Sequence, residues 1–254
     1  MMSGDEGTAS AAPAVRTVAL GAPLRWLAAG WSDFRASPAP SAFYGACFAL
    51  MGFLINLVFG YAYQYVSALV TGFFLVGPFL AIGLYELSRR RESGQPAWLA
   101  PTLDAWRPNV GSVGIFALVL CVILLVWARA SLVVFALFFT YDMPDLHGFL
   151  AQVLSFTHLE FLFAYLCVGG FFAVLVFAIS VVSVPMMLDR NTDGITASLT
   201  SLRAFAANVP AMIVWGLLIV MLIGVGFATW FVGLVVVVPV IGHATWHAYR
   251  ELVV

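Results

Sequence analysis

Residues 209–249 form one run without Asp, Glu, Lys or Arg: VPAMIVWGLLIVMLIGVGFATWFVGLVVVVPVIGHATWHAY. A single helix of this length would be about 60 Å long, twice the thickness of the hydrocarbon core of a bilayer. The run must therefore turn. We expect the turn at residues 228–233, where Trp230 lies beside small residues, because Trp is enriched at membrane interfaces. The sequence thus predicts two transmembrane helices here, over residues 209–229 and 232–249.

Four further runs are long and apolar enough to cross a bilayer. In the whole chain, 63% of the residues are hydrophobic and 9% are charged, whereas a soluble domain carries about a quarter charged residues. We therefore expect an all-α, polytopic membrane protein with six transmembrane helices. The first four predicted spans cover residues 42–62, 66–87, 111–139 and 161–187.

The N-terminal residues 1–18 are small and polar and lack the basic start and apolar core of a signal peptide. We expect them to form a disordered tail in front of a single membrane domain, residues 19–254. The three cysteines lie far apart in apolar runs, so no disulfide framework or metal knuckle is indicated.

The distribution of arginine predicts the orientation of the chain, which contains eleven Arg and no Lys. With six spans and both termini on one side, ten Arg fall on that side, and the eleventh, Arg129, lies within a span. Positive residues favour the cytoplasmic side of a membrane. We expect a multi-pass protein of the bacterial cytoplasmic (inner) membrane with cytoplasmic termini. Its expected surroundings are the lipid bilayer, and no nucleic-acid partner is indicated.

A weak internal repeat precedes the first, third and fifth spans, at residues 33–38, 104–109 and 203–210. It indicates three units, each a short cytoplasmic amphipathic helix followed by a transmembrane hairpin. In the first such helix, Leu24, Leu27, Trp31 and Phe34 share one helical face. This pattern is typical of a helix in the interface plane, which serves as an anchor or, alternatively, as a sensor or docking element.

Arg129 is costly inside a membrane and calls for a partner. Glu160, at the outer start of the fourth span, is the nearest acidic residue expected at that end. We expect an ion pair between Arg129 and Glu160, either as a packing clamp or as part of a substrate or proton path.

His243 and His247 are four residues apart and share one helical face. This spacing can hold a metal or haem, although it lacks the Glu of a zincin helix, and His near a helix C-terminus also has a structural role. No cofactor is therefore predicted outright. Arg89, Arg90 and Arg91 end the second span and are expected to fix topology and to contact anionic lipids.

Four longer motifs resemble an uncharacterised family of predicted bacterial integral membrane proteins, defined only as a domain of unknown function. They are GWSDF (30–34), GPFLAIGLYELSRR (77–90), SVPMMLDR (183–190) and GHATWHAYR (242–250). The resemblance covers roughly Trp26 to the C-terminus. Some members carry a cytochrome c oxidase label, which implies an association with respiratory chains but assigns no active residue.

The chain has no phosphate-binding Gly loop, no GxSxG and no nucleotide fingerprint. Its two spanning histidines both lie near one end of a helix, unlike the deep ligands of an oxidase core. The family resemblance, together with this absence of catalytic clusters, implies a non-enzymatic accessory subunit or assembly factor of a respiratory, cytochrome oxidase-type complex. One alternative is a small transporter or channel with Arg129 and Glu160 in its path. Another is metal or haem handling through His243 and His247.

Overall fold

A computed structural model describes residues 13–61, 65–138 and 159–254. Most of the predicted tail (residues 1–12) lies outside these residues, and so do most of the residues that connect the first predicted span to the second and the third to the fourth. The described part is all-helical, with 85% helix and no strand. Its helices are α1 (Ala22–Ala36), α2 (Pro38–Tyr61), α3 (Val66–Glu92), α4 (Leu99–Thr102), α5 (Val110–Phe138), α6 (Leu159–Ser180), α7 (Ser183–Arg190), α8 (Gly194–Ala207), α9 (Val209–Ala228) and α10 (Leu234–Leu252).

Five helical segments of the described chain are long and apolar enough to cross a membrane. α10 is not among them, because its second half carries two histidines, Arg250 and Glu251. The expected count of six spans therefore rests on α10, whose first half, Leu234–Ile241, is apolar. The five segments are Pro38–Tyr61, Leu69–Glu92, Leu99–Phe138, Leu159–Arg190 and Val209–Ala228.

Most apolar side chains of these segments face outward. α2 buries only Ser41, Tyr44 and Gly45 among its 24 residues, and α6 buries only Phe161 and Ala178. Helices that are apolar all round and mostly exposed in an isolated chain are typical of a surface covered by lipid.

α10 is the central helix of the bundle, since it contacts α1, α2, α3, α7 and α9. Its second half is almost entirely buried, from Gly242 to Trp246 and again at Ala248 and Tyr249. The largest buried rings lie beside this half: Trp26 and Trp215 meet edge to face at 6.0 Å, and Trp246 lies 5.6 Å from Tyr249. The core is therefore concentrated at one end of the bundle.

The two ends of the chain lie together at the same end of the bundle. The Arg16 amide donates to the Leu252 carbonyl at 2.9 Å, and the Val254 amide donates to the Ala14 carbonyl at 3.0 Å. Asn208, between α8 and α9, holds this clasp by accepting from the Val18 amide and donating to the Arg16 carbonyl. The predicted disordered tail therefore does not extend over residues 14–18, because these backbone groups are paired.

The predicted fourth span, residues 161–187, is not one helix. α6 ends at Ser180 and α7 begins at Ser183. Pro185 explains the break, because proline has no N–H to donate to the carbonyl four residues earlier and its ring clashes with that carbonyl. The buried Val182 amide, which the break leaves outside the helical hydrogen-bond ladder, donates to the Ser201 hydroxyl at 3.3 Å.

Candidate functional site

The polar cap is the layer of buried polar side chains at the end of the bundle where both chain termini lie. Its centre is the carboxylate of Asp33 on α1, which is 6% exposed. Arg91 of α3 donates to Oδ1 at 2.6 Å, while Ser88 of α3 and His247 of α10 donate to Oδ2 at 2.7 and 2.9 Å. One carboxylate thus joins three helices.

His243 lies directly beneath this carboxylate and is fully buried. Its Nδ1 lies 2.8 Å from the Ser88 hydroxyl and its Nε2 lies 2.9 Å from the Ser41 hydroxyl. Because the Ser88 proton is given to Asp33, the Ser88 oxygen accepts from Nδ1–H, and in a neutral ring Nε2 then accepts from Ser41. Both ring nitrogens are satisfied within the protein.

Hydrogen bonding controls the charge of Asp33. Burial alone would raise the pKa of this carboxyl, but hydrogen bonds from His247 and Ser88 outweigh it, and the pKa of Asp33 lies below its ordinary value. The charged form also pairs with Arg91, whose Nη1 lies 2.6 Å from Asp33 Oδ1. The polar cap therefore holds Asp33 as a carboxylate.

A second group of polar contacts surrounds the end of α10. Glu92 of α3 accepts from the Trp246 indole at 3.0 Å and pairs with Arg250 at 3.0 Å. Asp189 of α7 accepts from the Tyr249 hydroxyl at 2.7 Å and lies 3.3 Å from Arg250. The last turns of α10 are thus bonded to α3 through Trp246, to α7 through Tyr249 and to both through Arg250.

A small open pocket of about 280 Å³ lies over the carboxylate and is lined by Ser32, Asp33, Ser88, Arg91, Glu92 and His247, with Ala29. Serine, histidine and aspartate meet here, but not in the order of a hydrolytic triad. In a triad the serine donates to the histidine and the aspartate accepts from the other ring nitrogen. Here Ser88 donates to Asp33 itself and is only 2% exposed, so its hydroxyl is not free to attack a substrate.

The structure does not bring Arg129 and Glu160 together. Both side chains are exposed, and the described residues contain no ion pair between them. Phe161, next to Glu160, contacts Phe135 and Phe138 of α5. Arg129 lies six to nine residues before those rings, roughly 9–13 Å deeper along the helix. The cavity between α5 and α6, about 270 Å³, is lined by apolar residues.

The structure places His243 and His247 on one face of α10, but each is engaged by protein groups. His243 contacts two serines and His247 contacts Asp33. Within the described residues, no group of three or more His, Cys, Asp or Glu is arranged to hold a metal ion. These histidines hydrogen-bond α10 to α1, α2 and α3.

The three arginines at the end of α3 also act within the protein. Arg89 and Arg90 pair with the buried Glu86 at 2.7 and 3.6 Å, and Arg91 pairs with Asp33. Each remains partly exposed, with 22–38% of its side chain accessible. The side chains that were expected to contact lipid headgroups therefore first neutralise buried carboxylates.

The expected interfacial face of α1 points away from the bundle. Leu24 is 59% exposed and Trp31 is 42% exposed, while Leu27 and Phe34 are half-buried. Trp31 stacks on Phe34 at 5.5 Å, and the Arg35 guanidinium lies 5.9 Å from the Trp31 ring. The opposite face, with Trp26, Gly30 and Asp33, is buried. This arrangement leaves part of the predicted interfacial face exposed.

In the comparison with known proteins, one family model matches part of the chain. Residues 66–189 match the model of the family described as "Predicted integral membrane protein (DUF2189)". The match covers α3 to α7 and is therefore narrower than the stretch over which the sequence motifs resemble that family. No curated protein and no solved structure matches the chain significantly.

Proposed function

We propose that this chain, whose residues 66–189 match the model of the DUF2189 family of predicted integral membrane proteins, is a non-enzymatic accessory protein of the bacterial inner membrane. In this proposal it serves as a subunit or assembly factor of a respiratory complex of the cytochrome oxidase type. The polar cap is its rigid base, and its apolar outer surface is the part that other membrane proteins contact.

The observation that carries the proposal is that the buried polar side chains of the polar cap hydrogen-bond one another. Asp33, Ser88, His243 and Ser41 form one chain of hydrogen bonds whose inner members are fully or almost fully buried. A catalytic nucleophile or base must reach a substrate proton or atom. Here the same groups are used to hold helices together, which supports a structural role.

The clasp between the chain ends supports six spans. Ala14 and Arg16 are hydrogen-bonded to Val254 and Leu252, so these two stretches lie on one side. A chain with both ends on one side crosses the membrane an even number of times. Five apolar segments plus α10 satisfy this condition. α2 contacts α3, α5 contacts α6, and α9 contacts α10, which fits three hairpins preceded by short helices.

The arginine distribution supports a cytoplasmic position for the polar cap. Arg89, Arg90, Arg91 and Arg250 all lie in this layer, and positive residues favour the cytoplasmic side. The respiratory partner is taken from the family resemblance of the sequence motifs. The exposed apolar faces of α5 and α6 provide the surface that such a partner would cover, with Leu137 at 74% and Phe163 at 71% exposure.

Purification from the native membrane tests this function. The tagged full chain is extracted in mild detergent, co-purifying proteins are identified by mass spectrometry, and a visible absorption spectrum is recorded. We expect stoichiometric oxidase subunits together with their haem bands. A tagged, unrelated polytopic protein from the same membrane provides the control. A colourless protein without partners, or partners equally abundant in the control, would overturn the proposal.

A further inference from the structure

A lateral pocket opens between α2, α3, α9 and α10, on the opposite side of the bundle from the polar cap. Its volume is about 520 Å³, within the range of small-molecule sites. Five phenylalanines line it: Phe48, Phe59, Phe73, Phe227 and Phe231. Phe59 and Phe227 are 40% and 55% exposed, so the pocket opens toward the lipid.

The one side chain with a strong hydrogen-bonding group in this lining is Asn56 of α2. It lies 15 residues beyond Ser41, roughly 22 Å along the helix and five residues before α2 ends at Tyr61, and its side chain is exposed. None of the described residues forms a hydrogen bond with its carboxamide, whereas Ser41 and the other polar groups of α2's first turns are paired. In this apolar lining the carboxamide of Asn56 can hydrogen-bond a ligand that carries an acceptor, whereas an acyl chain offers it no partner.

The wall formed by Phe231 is held in an unusual conformation. Trp230 and Phe231 adopt φ values of 54° and 66°, a left-handed region that bulky side chains disfavour. The Phe231 ring rests against Gly52, where a Cβ would lie 2.7 Å from Phe231 Cδ1. Backbone conformations of this kind cluster where a ligand is clamped. The turn between α9 and α10, which holds Trp230 and Phe231 in this conformation, forms one wall of the pocket.

We propose that this pocket binds an isoprenoid quinone. A quinone ring is flat and apolar on its faces, which suits the edge-to-face pairs Phe227–Phe231 at 5.6 Å and Phe48–Phe73 at 5.5 Å. Its carbonyl oxygen accepts from the Asn56 amide, and its tail leaves through the lateral opening into the bilayer. This inference depends on the pocket alone and does not require the proposed respiratory partner.

Calorimetric titration of the full chain in nanodiscs of quinone-free synthetic phosphatidylcholine tests the site. The ligands are a short-tailed benzoquinone and an alkylbenzene of equal tail length that lacks carbonyl groups. We expect saturable 1:1 binding of the quinone. The alkylbenzene is expected to bind about tenfold more weakly, equivalent to about 1.4 kcal/mol for a lost hydrogen bond.

Asn56→Leu removes the amide and is expected to bind both ligands equally, at the weaker affinity. Leu57→Ala is the matched control, because Leu57 is exposed on the same helix outside the pocket lining, and we expect wild-type affinity. Equal binding of the two ligands by the wild type would mean that a plain acyl chain occupies the pocket and would overturn the proposal. If neither ligand binds saturably, the proposal is overturned and bulk lipid or a partner's helix covers the pocket instead. Unchanged quinone affinity in Asn56→Leu would also overturn it.

Discussion

Asp33, Ser88 and His243 show how three ordinary residues together hold α1, α3 and α10. The carboxylate of Asp33 accepts two hydrogen bonds on Oδ2 and one on Oδ1. The Ser88 hydroxyl also bonds to the imidazole of His243 and so joins the two groups. Each of these groups would be costly to bury alone, because unpaired polar groups lose their hydration. Paired in this way, they specify one arrangement of the helices.

Ser41→Ala tests the buried imidazole. The substitution removes the partner of His243 Nε2 and leaves a buried nitrogen unsatisfied, at an expected cost of about 1–3 kcal/mol. Thermal unfolding in detergent should show a lower midpoint. Ser93→Ala is the control, because the Ser93 hydroxyl is exposed and bonds only to the carbonyl of its own helix. Equal midpoints for the two variants would contradict this role of Ser41.

Acid should weaken the contribution of Asp33. Its folded-state pKa is depressed below the ordinary value of 3.8, so its stabilisation is fully present above that value and is lost as the pH falls through the lower, folded-state pKa. The difference in unfolding midpoint between wild type and Asp33→Asn should therefore be constant from pH 7 to about pH 5 and should shrink below pH 3.8. A difference that grows on acidification would contradict the assignment.

At the scale of elements, hydropathy predicted the long apolar helices, because a span must be apolar over about 20 residues. The face of α1 could be read from the spacing of Leu24, Leu27, Trp31 and Phe34. The bounds predicted for the fourth span, residues 161–187, ran through the break at residues 181–182, because the surrounding residues remain apolar, although Pro185 is typical of a kink or a helix end. The polar cap was missed because its members are far apart in sequence: Asp33 and His247 are separated by 214 residues.

The ion pair expected for Arg129 shows the same limit. A sequence gives the order of residues along each helix but not the level at which two helices meet. The contacts of Phe161 with Phe135 and Phe138 set that level and place Glu160 beyond Arg129. His243 and His247 were noticed from their spacing, but their serine and aspartate partners could be found only from the packing of α1 on α10.

Close packing of α1 on α10 depends on Gly30. A Cβ at this position would lie 2.5 Å from the Val240 carbonyl oxygen and 2.6 Å from the Ala244 amide. Gly30→Ala should therefore destabilise the protein by about 1–3 kcal/mol, the usual cost of overpacking. Gly21→Ala, at a position with open space around it, should leave the unfolding midpoint near that of the wild type. If both variants unfold alike, α1 does not pack as closely as described.

The whole molecule combines an apolar, lipid-facing bundle with one polar end. In the most apolar stretch of each of the five segments, 11–50% of the residues are buried. The buried charged and hydrogen-bonded residues, in contrast, gather in the polar cap. This asymmetry predicts that the polar cap and both chain ends face the cytoplasm, while the turn between α9 and α10 faces the opposite side.

Cysteine labelling in intact cells checks this topology. In a background where the three native cysteines are replaced by alanine, Trp230→Cys should react with a membrane-impermeant maleimide, because Trp230 is 81% exposed in the outer turn. Ser93→Cys, at an exposed position at the same end of the bundle as the polar cap, should react only after the membrane is permeabilised. Reversed labelling would contradict the orientation, and labelling of both from outside would contradict the three spans between Ser93 and Trp230.

The central claim is that Asp33 docks α1 onto the bundle and that the polar cap serves structure. Hydrogen–deuterium exchange of the full chain in nanodiscs, compared between wild type and Asp33→Asn, tests it most directly. We predict faster exchange throughout α1 (Ala22–Ala36) in the variant, with unchanged exchange in α5 and α6. Unchanged exchange in α1 would contradict the claim and would show that Asp33 is held there for a purpose other than joining the helices.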